Sequence, residues 1–455
     1  MLSYLELTNF KSFSKINLDL RGAHGIPKKM AFIYGENGSG KSNLISALLF
    51  LSKSLSTLRN QERMKKLTEP RVSKLLSEIR DDGMRQDVIS HLIQLQFFTL
   101  EDIIGECKTL QNKEPMSVTI GFYLDGKHGT YSLIFDESNV IFEELKFQIR
   151  ERMGTMFSIT NKKTDLSPTI FVDSDYKNEL LMDIEKFWGK HTFMSILFNE
   201  IETKNFKYVN TRIKENLFVV LNWLNKFSVM CTHSQGQTAQ VAVSFHFLQN
   251  LEGGTIKDKN DKELRTFEAA LNTFFVQLYS DIKGVFYQIT PSEDEYEYEL
   301  YFKKKINDKI IDVPIHLEST GTQKLLNIFP FLFSAMVGES VFIDEIDSGI
   351  HDLLMCEIIE YLKDSIKGQF VTTTHNTLLM KRLPSENVYI ISSDANANKE
   401  IVCIKDYGFR TQKNNNIQNK YLEGDYAGIP YTGYLDLEEM VNDVINNLSP
   451  DTDFK

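Results

Sequence analysis

Gly35, Gly40, Lys41 and Ser42 fill the spacing G-x-x-x-x-G-K-S within GENGSGKS, and each type has a mechanical reason to stand there. Glycines let the backbone curl until successive N–H groups face a polyphosphate, a turn that side chains would obstruct. A helix beginning near Lys41 adds the partial positive charge of its N-terminus. Lys41 can reach the β- and γ-phosphates and the Ser42 hydroxyl can coordinate Mg²⁺. Asn37, Gly38 and Asn43 complete the expected phosphate contacts, so ATP with Mg²⁺ is the ligand this stretch points to.

Late in the chain, VFIDEID at 341–347 is an apolar run closed by carboxylates. Asp344 is placed to hold Mg²⁺ through its shell, and Glu345 to polarise an attacking water. QFVTTTHN at 369–376 is a second apolar run that ends on His375, whose imidazole can contact the γ-phosphate or the water. Glu345, His375 and Lys41 are therefore the expected catalytic groups, with Ser42 and Asp344 on the metal. Between these stretches, HLESTGTQKLLNI at 316–328 places Ser319, Thr320, Gly321 and Thr322 ahead of an amphipathic run. That is a second anion-binding helix start. One nucleotide does not need two such caps from a single chain, so Ser319 and Gly321 are expected to close over the nucleotide of another copy.

The elements that must position these groups are legible nearby. Met30 to Tyr34 supplies a strand and Asn43 to Leu51 a helix. Residues 2–20 alternate apolar and polar, which suits two half-buried strands, with Gly22, Gly25 and Pro27 in the turn that follows. From Ser42 to about Leu100 the pattern is helical and charged, with breaks at Pro70 and Gly83. Residues 116–149 alternate again, with a turn at Asp125-Gly126, and predict an antiparallel meander. Residues 175–283 have mostly helical periodicity, broken at Gly236 and at Gly253-Gly254, and Thr232–Gln237 is expected as a loop. Strand signals resume at Tyr287–Phe302, where one face of EDEYEYELYF is acidic and solvated. The expected organisation is α/β, a mixed sheet around the phosphate loop plus an antiparallel β subdomain, with a compact helical insertion. Its divisions are 1–160, 161–284 for the insertion, and 285–455.

Composition narrows the class. The chain has 455 residues, 42% hydrophobic and 25% charged, which is ordinary for a folded protein and unlike a disordered one. A formal net charge of −11 means that the whole surface does not attract nucleic acid, and a DNA contact would need a local patch. The lysine clusters Lys65-Lys66, Lys162-Lys163 and Lys303–Lys305 are expected as solvated faces. Cys107, Cys231, Cys356 and Cys403 are far apart and form no C-x-x-C pair, so buried reduced thiols are expected. The N-terminus lacks a basic segment followed by an apolar one, and about 18 consecutive apolar residues occur nowhere. A cytoplasmic protein with no membrane span is the expectation.

In order, GENGSGKS, STGTQ, VFIDEID and TTTH resemble the ATP-binding-cassette ATPases of the SMC, RecF and OLD group, and YLELTNFKSF is similar to the start typical of that group. NNNIQNKYLEGDYAGIP at 414–430 resembles the ending of stand-alone members in bacterial anti-phage and abortive-infection systems, including PARIS-type and Rlo-type pairs. The resemblance covers roughly residues 1–160 and 285–430. It implies an ABC-type ATPase head that pairs, as a homodimer or within a higher homo-oligomer, around two ATP molecules. Lys41 and Ser42 would bind phosphate and Mg²⁺, Asp344 would support the metal and Glu345 would be the base. Ser319 and Gly321 would act in trans, Ser348 and Gly349 would cross the dimer interface, and His375 would be the switch histidine. Gln94 and Gln96 are candidates by position for the glutamine loop. The second residue after Ser319 is Gly321 but no glycine pair is present, which argues against a transporter. Only about 80 residues follow His375, too few for a Toprim nuclease. The function implied is gating of a separately encoded nuclease or toxin in anti-phage defence. Two rivals stand beside it: a repair-type ATPase acting directly on DNA, and a non-catalytic scaffold that binds ATP.

Overall fold

The computed structural model describes residues 1–67, 98–204, 206–232, 238–240, 250–292, 295–408, 417–429 and 436–448. The chain opens with strands β1 (Leu2–Phe10), β2 (Phe13–Asp19) and β3 (Met30–Gly35), and β3 runs straight into the phosphate loop. After helices Lys41–Ser54, Thr57–Leu67 and Leu100–Cys107 come β4 (Met116–Leu124), β5 (Lys127–Phe135), β6 (Val140–Ile149), β7 (Arg152–Thr160) and β8 (Lys163–Leu166). Strands β1, β2 and β4–β8 form one seven-stranded antiparallel sheet in the order β2-β1-β4-β5-β6-β7-β8. The expected meander is present and longer than expected. Its turn at Asp125-Gly126 has φ of +48° and +80°, the pair of left-handed residues that suits a two-residue hairpin.

The stretch 161–284 departs from the expected helical insertion. It is helical over Ser174–Phe187, Phe193–Thr203, Phe206–Arg212 and Glu215–Leu224. It then supplies β9 (Phe227–Thr232) and β10 (Thr238–Gln240), and later β11 (Gly253–Ile256) before the helix Lys262–Leu278. FSVMCT reads as a continuation of the preceding helix by periodicity alone, because a short buried strand has no polar face to betray it. The expected breaks at Pro70, Gly83 and Gly236, most of the Thr232–Gln237 loop, and Gln94 and Gln96 lie outside the described residues.

The remaining strands are β12 (Ile282–Ser292), β13 (Glu295–Ile306), β14 (Lys309–Pro314), β15 (Ser340–Ile343), β16 (Gln369–Thr373), β17 (Val388–Ser393) and β18 (Lys399–Cys403). A second seven-stranded sheet has the order β10-β9-β15-β16-β3-β17-β18. Its five inner strands are parallel and its two edge pairs antiparallel. In β13 a third, smaller sheet is centred, with β12 along one edge and β11 and β14 along the other.

The second sheet positions the site. All residues of β3, β15 and β16 are buried, as expected of strands covered on both faces. Alternate side chains serve two cores. Ala31 and Ile33 of β3 face the layer shared with the antiparallel sheet and helix Lys41–Ser54, while Met30, Phe32 and Tyr34 face helices Thr320–Val337 and Asp352–Ser365. Because β3, β15 and β16 are parallel and in register, their C-terminal ends open at one edge. Gly35, Asp344 and Thr373–His375 are thereby gathered from sequence separations of some 300 residues.

Candidate nucleotide site

The phosphate loop is braced from outside. Gly40 has φ +104°, and a Cβ there would lie 2.7 Å from the ring of Phe13, the first residue of β2. A Cβ on Gly35 would come 2.5 Å from the Ile391 carbonyl oxygen on β17. Only glycine permits these approaches. Lys399 on β18 donates to the Gly38 carbonyl at 2.8 Å and to Ser12 Oγ at 2.7 Å, and Asn43 Nδ2 donates to the same hydroxyl at 2.8 Å. Asn37 is exposed at the tip of the loop, and Ser42 sits half-buried in the first turn of its helix.

Lys41 is nearly buried, and its ammonium donates to the carbonyls of Gly35 at 2.9 Å and Glu36 at 3.0 Å. Burial lowers its pKa, and the nearby Asp344, Glu345 and Asp347 pull in the other direction. Those carboxylates are what the end of β15 contributes. Asp344 is buried, and its Oδ1 accepts from the Thr373 hydroxyl at 2.6 Å while Oδ2 has no hydrogen-bond partner. A buried carboxylate oxygen left without a donor beside an ammonium and a helix start fits a divalent cation. Ser42 and Asp344 would hold Mg²⁺ there.

Glu345 has φ +51°, uncommon for any residue with a β-carbon. Its N–H donates to the Thr373 hydroxyl at 2.8 Å. Thr373 therefore ties both acids to the end of β16, accepting from one backbone and donating to the other carboxylate. Asp347 Oδ2 accepts from the backbone N–H of His375 at 3.1 Å. Burial, followed by the charge of Lys41, holds the His375 imidazole below its ordinary pKa, against the opposing pull of Asp347, Glu345 and Asp344. It is neutral near pH 7. Lys41, Asp344, Glu345 and His375 thus share one electrostatic neighbourhood.

Ser319 caps the helix Thr320–Val337, its Oγ accepting from the Thr322 N–H at 3.2 Å. Ser319 and Gly321 are not joined to the phosphate loop by hydrogen bonds. They lie instead beside Ser348–Gly349, since a Cβ on Gly321 would be 3.0 Å from the Gly349 carbonyl oxygen. These four residues make one surface, apart from the phosphate loop's own contacts.

Sequence reasoning missed four participants. Thr373 and Asp347 lie inside quoted motifs but carry no charge pattern that distinguishes their roles; the run TTTH offered three equivalent hydroxyls, and register alone selects one. Lys324, one turn into the Ser319 helix, has its pKa lowered by burial while Glu345, Asp344 and Asp347 attract its ammonium. Lys399 has no local signal at all. The segment of the tail from Ile417 to Ile429 also closes on the site. A Cβ on Gly428, at φ +69°, would lie 2.5 Å from Ile390 Cγ2 and 3.5 Å from the Cα of Gly35. Gln418 donates to the Thr377 hydroxyl at 3.1 Å, next to the His375 turn.

Among known proteins, a chromosome partition protein Smc of Methanocaldococcus jannaschii is 52% identical over 50 residues, which is 11% of this chain and only 4% of that protein's length. An ATP/GTP phosphatase of Helicobacter pylori is 22% identical over 387 residues, covering 83% of this chain and 85% of that one. Of solved structures, an Smc head bound to the C-terminal winged-helix domain of ScpA aligns with a TM-score of 0.41 at 15% identity, covering 88% of this chain and 97% of the other. The SMC head domain of Thermotoga maritima aligns at 0.36 with 16% identity, covering 88% and 98%. No described helix is long and apolar enough to cross a membrane. Residues 30–381, from the phosphate-loop strand to beyond His375, match the family described as "AAA domain, putative AbiEii toxin, Type IV TA system", and the chain belongs to it.

Proposed function

We propose that the chain binds ATP with Mg²⁺, hydrolyses it to ADP and phosphate, and uses the cycle to gate a separately encoded nuclease or toxin in bacterial anti-phage defence. The observation that carries the chemistry is the Thr373 clamp, which holds Asp344 and Glu345 at the end of β15 with one Asp344 oxygen unpartnered. The family description and the phosphatase named in Helicobacter pylori support the same chemistry.

In this reading Lys41 exchanges the Gly35 and Glu36 carbonyls for phosphate oxygens, and the N–H groups of the loop complete the cradle. Mg²⁺ would neutralise charge that develops on the transferred phosphoryl group. Glu345 takes the proton of the attacking water, and the neutral His375 orients that water or the γ-phosphate. Ser319 and Gly321 close over the nucleotide of a second copy, so hydrolysis and pairing depend on each other. A gate follows, because assembly then differs between the ATP and ADP states.

The test is co-purification of wild type and Glu345→Gln, each with ATP, alongside the product of the adjacent reading frame. A stable complex that changes composition in the Glu345→Gln protein is the expected result. Purification of the chain alone, with hydrolysis stimulated several-fold by DNA and falling steeply with salt, would replace the gating reading with direct action on DNA. Unchanged function in Glu345→Gln together with loss in Lys41→Ala would make the protein a scaffold.

A further inference from the structure

The segment Ile417–Ile429 lies over the ends of β16, β3 and β17, which are neighbours in the second sheet. Two of those strands lead to groups that meet the terminal phosphate in the proposed cycle: β3 runs into the phosphate loop, and β16 into the His375 turn. The segment grips both. On the β16 side, Gln418 Nε2 donates to Thr377 Oγ1 at 3.1 Å. On the β3 side, the Tyr421 ring lies 6.1 Å from that of Tyr34, and a Cβ on Gly428 would be 3.5 Å from the Gly35 Cα. The Tyr421 hydroxyl closes the segment on itself, donating to the Gly428 carbonyl at 2.9 Å. Burial, followed by the charge of Glu36 in the phosphate loop, pushes the Tyr421 phenol up to about 12, so it stays a donor near neutral pH.

The two sides meet at Asn376, the residue after His375. Asn376 is 3% exposed, and its backbone carbonyl accepts from the Tyr34 hydroxyl at 3.1 Å. Its side chain donates to the Asp352 carbonyl at 3.1 Å and accepts from the Leu378 N–H at 3.0 Å, while its own N–H donates to Thr374 Oγ1 at 3.0 Å. Four hydrogen bonds therefore fix the backbone next to His375. The tail holds Thr377 directly, and it packs against the Tyr34 ring that supplies one of the four.

We infer that Gln418 and Tyr421 are positioning residues for His375: the tail holds the 374–378 turn against the phosphate-loop strand, and nucleotide in the site holds the tail in return. This rests on the hydrolytic reading of His375 given above. Packing alone does not call for it. Tyr421 and Tyr426 already join the core that Tyr34 belongs to. Gln418, however, is only 6% exposed, and a buried amide costs free energy that an apolar side chain would not. Its hydrogen bond to the Thr377 hydroxyl offsets that cost, and only with the turn in this place. Reciprocity follows from linkage. If the seated tail favours the turn geometry that meets a γ-phosphate, a bound γ-phosphate favours the seated tail by the same factor.

The first test is steady-state kinetics. Gln418→Met keeps the length of the side chain and loses the donor, and should lower kcat about tenfold with KM for ATP little changed. Thr377→Val should match it, the double variant should be no worse than either single one, and Thr377→Ser should keep the wild-type rate. In a His375→Ala chain, Gln418→Met should cost nothing more. Hydrogen exchange is the second test, on Glu345→Gln so that bound ATP persists. Amides of residues 418–428 should exchange at least about fivefold more slowly with ATP than with ADP. Losses that multiply in the double variant would overturn the inference, as would a full further loss in the His375→Ala chain or equal exchange with both nucleotides. A Gln418→Met chain with wild-type kcat and a lower Tm would also overturn it, leaving the tail as packing. If the wild type binds ATP and releases no phosphate, the hydrolytic reading fails, and the exchange comparison by itself decides whether nucleotide and tail are coupled.

Discussion

Glu345 combines an uncommon backbone with an uncommon neighbourhood. Its φ of +51° costs a β-carbon residue about 1–2 kcal/mol, and it adds a third carboxylate beside Asp344 and Asp347. Strain of this kind persists where surrounding structure over-determines it, here the Thr373 hydrogen bonds. Glu345→Gly should therefore abolish hydrolysis while raising stability by up to about 1 kcal/mol, the relief of strain being partly offset by the flexibility of glycine in the unfolded chain. Calorimetry decides this, and a lower Tm would mean that Glu345 makes contacts that outweigh its strain. Thr373→Val removes the shared hydroxyl. The expected loss is about 10–100-fold in kcat, as for other residues that orient a catalytic shell, with KM for ATP little changed and Thr373→Ser largely restoring the rate. Equal losses in Thr373→Ser would instead place the effect in packing.

At the scale of elements, the helix Lys41–Ser54 is held between the two large sheets, and its continuation Thr57–Leu67 is tied to helix Phe193–Thr203 by a polar cluster buried at Thr57, His191 and Ser195. His191 Nδ1 and Thr57 Oγ1 are 2.9 Å apart, His191 Nε2 and Gln61 Oε1 3.2 Å, and Thr57 Oγ1 and Ser195 Oγ 3.2 Å. Burial depresses the His191 pKa to about 4, with Lys190 and Lys65 acting in the same direction. In the unfolded chain the imidazole titrates near its ordinary value of about 6.5. Between those two values the unfolded state binds a proton that the folded state refuses, so stability falls as pH drops from about 6.5 toward 4 and levels off below. The span corresponds to up to about 3 kcal/mol for a group this buried. Urea midpoints of wild type and His191→Gln should converge at pH 4.5 relative to pH 7.5; parallel curves would assign the acid sensitivity to other groups.

For the whole molecule, the separation of Ser319 and Gly321 from the phosphate loop's own contacts makes a composite site testable by mixing. Ser319→Arg alone should bind ATP with near-normal affinity but lose hydrolysis by more than tenfold, along with the ATP-dependent doubling of mass. Lys41→Ala should lose ATP binding. Mixed together, the two inactive chains can build one intact site, from the phosphate loop of the first and the Ser319 cap of the second, and part of the activity should return. If the mixture stays inactive while light scattering still shows ATP-dependent dimers, the cap does not act across the pair.

What the amino-acid sequence determined by itself is the local chemistry: a glycine turn between a strand and a helix, acids closing an apolar run, a capped helix at Ser319, and the alternation of residues 116–149. Each rests on contacts within a few residues, where residue type dictates backbone geometry. Tertiary structure decided the rest. Phe227–Thr232 became a strand because the exposed edge of β15 lies where that segment can pair, a fact with no trace in a run of six mostly apolar residues. Thr373 was selected over its neighbours Thr372 and Thr374 because parallel register brings it level with Asp344. Lys399 reached the phosphate loop because β17 pairs with β3 and carries β18 beside it. Contacts spanning hundreds of residues are set by which strands end at the same edge, and that is a property of the folded sheet.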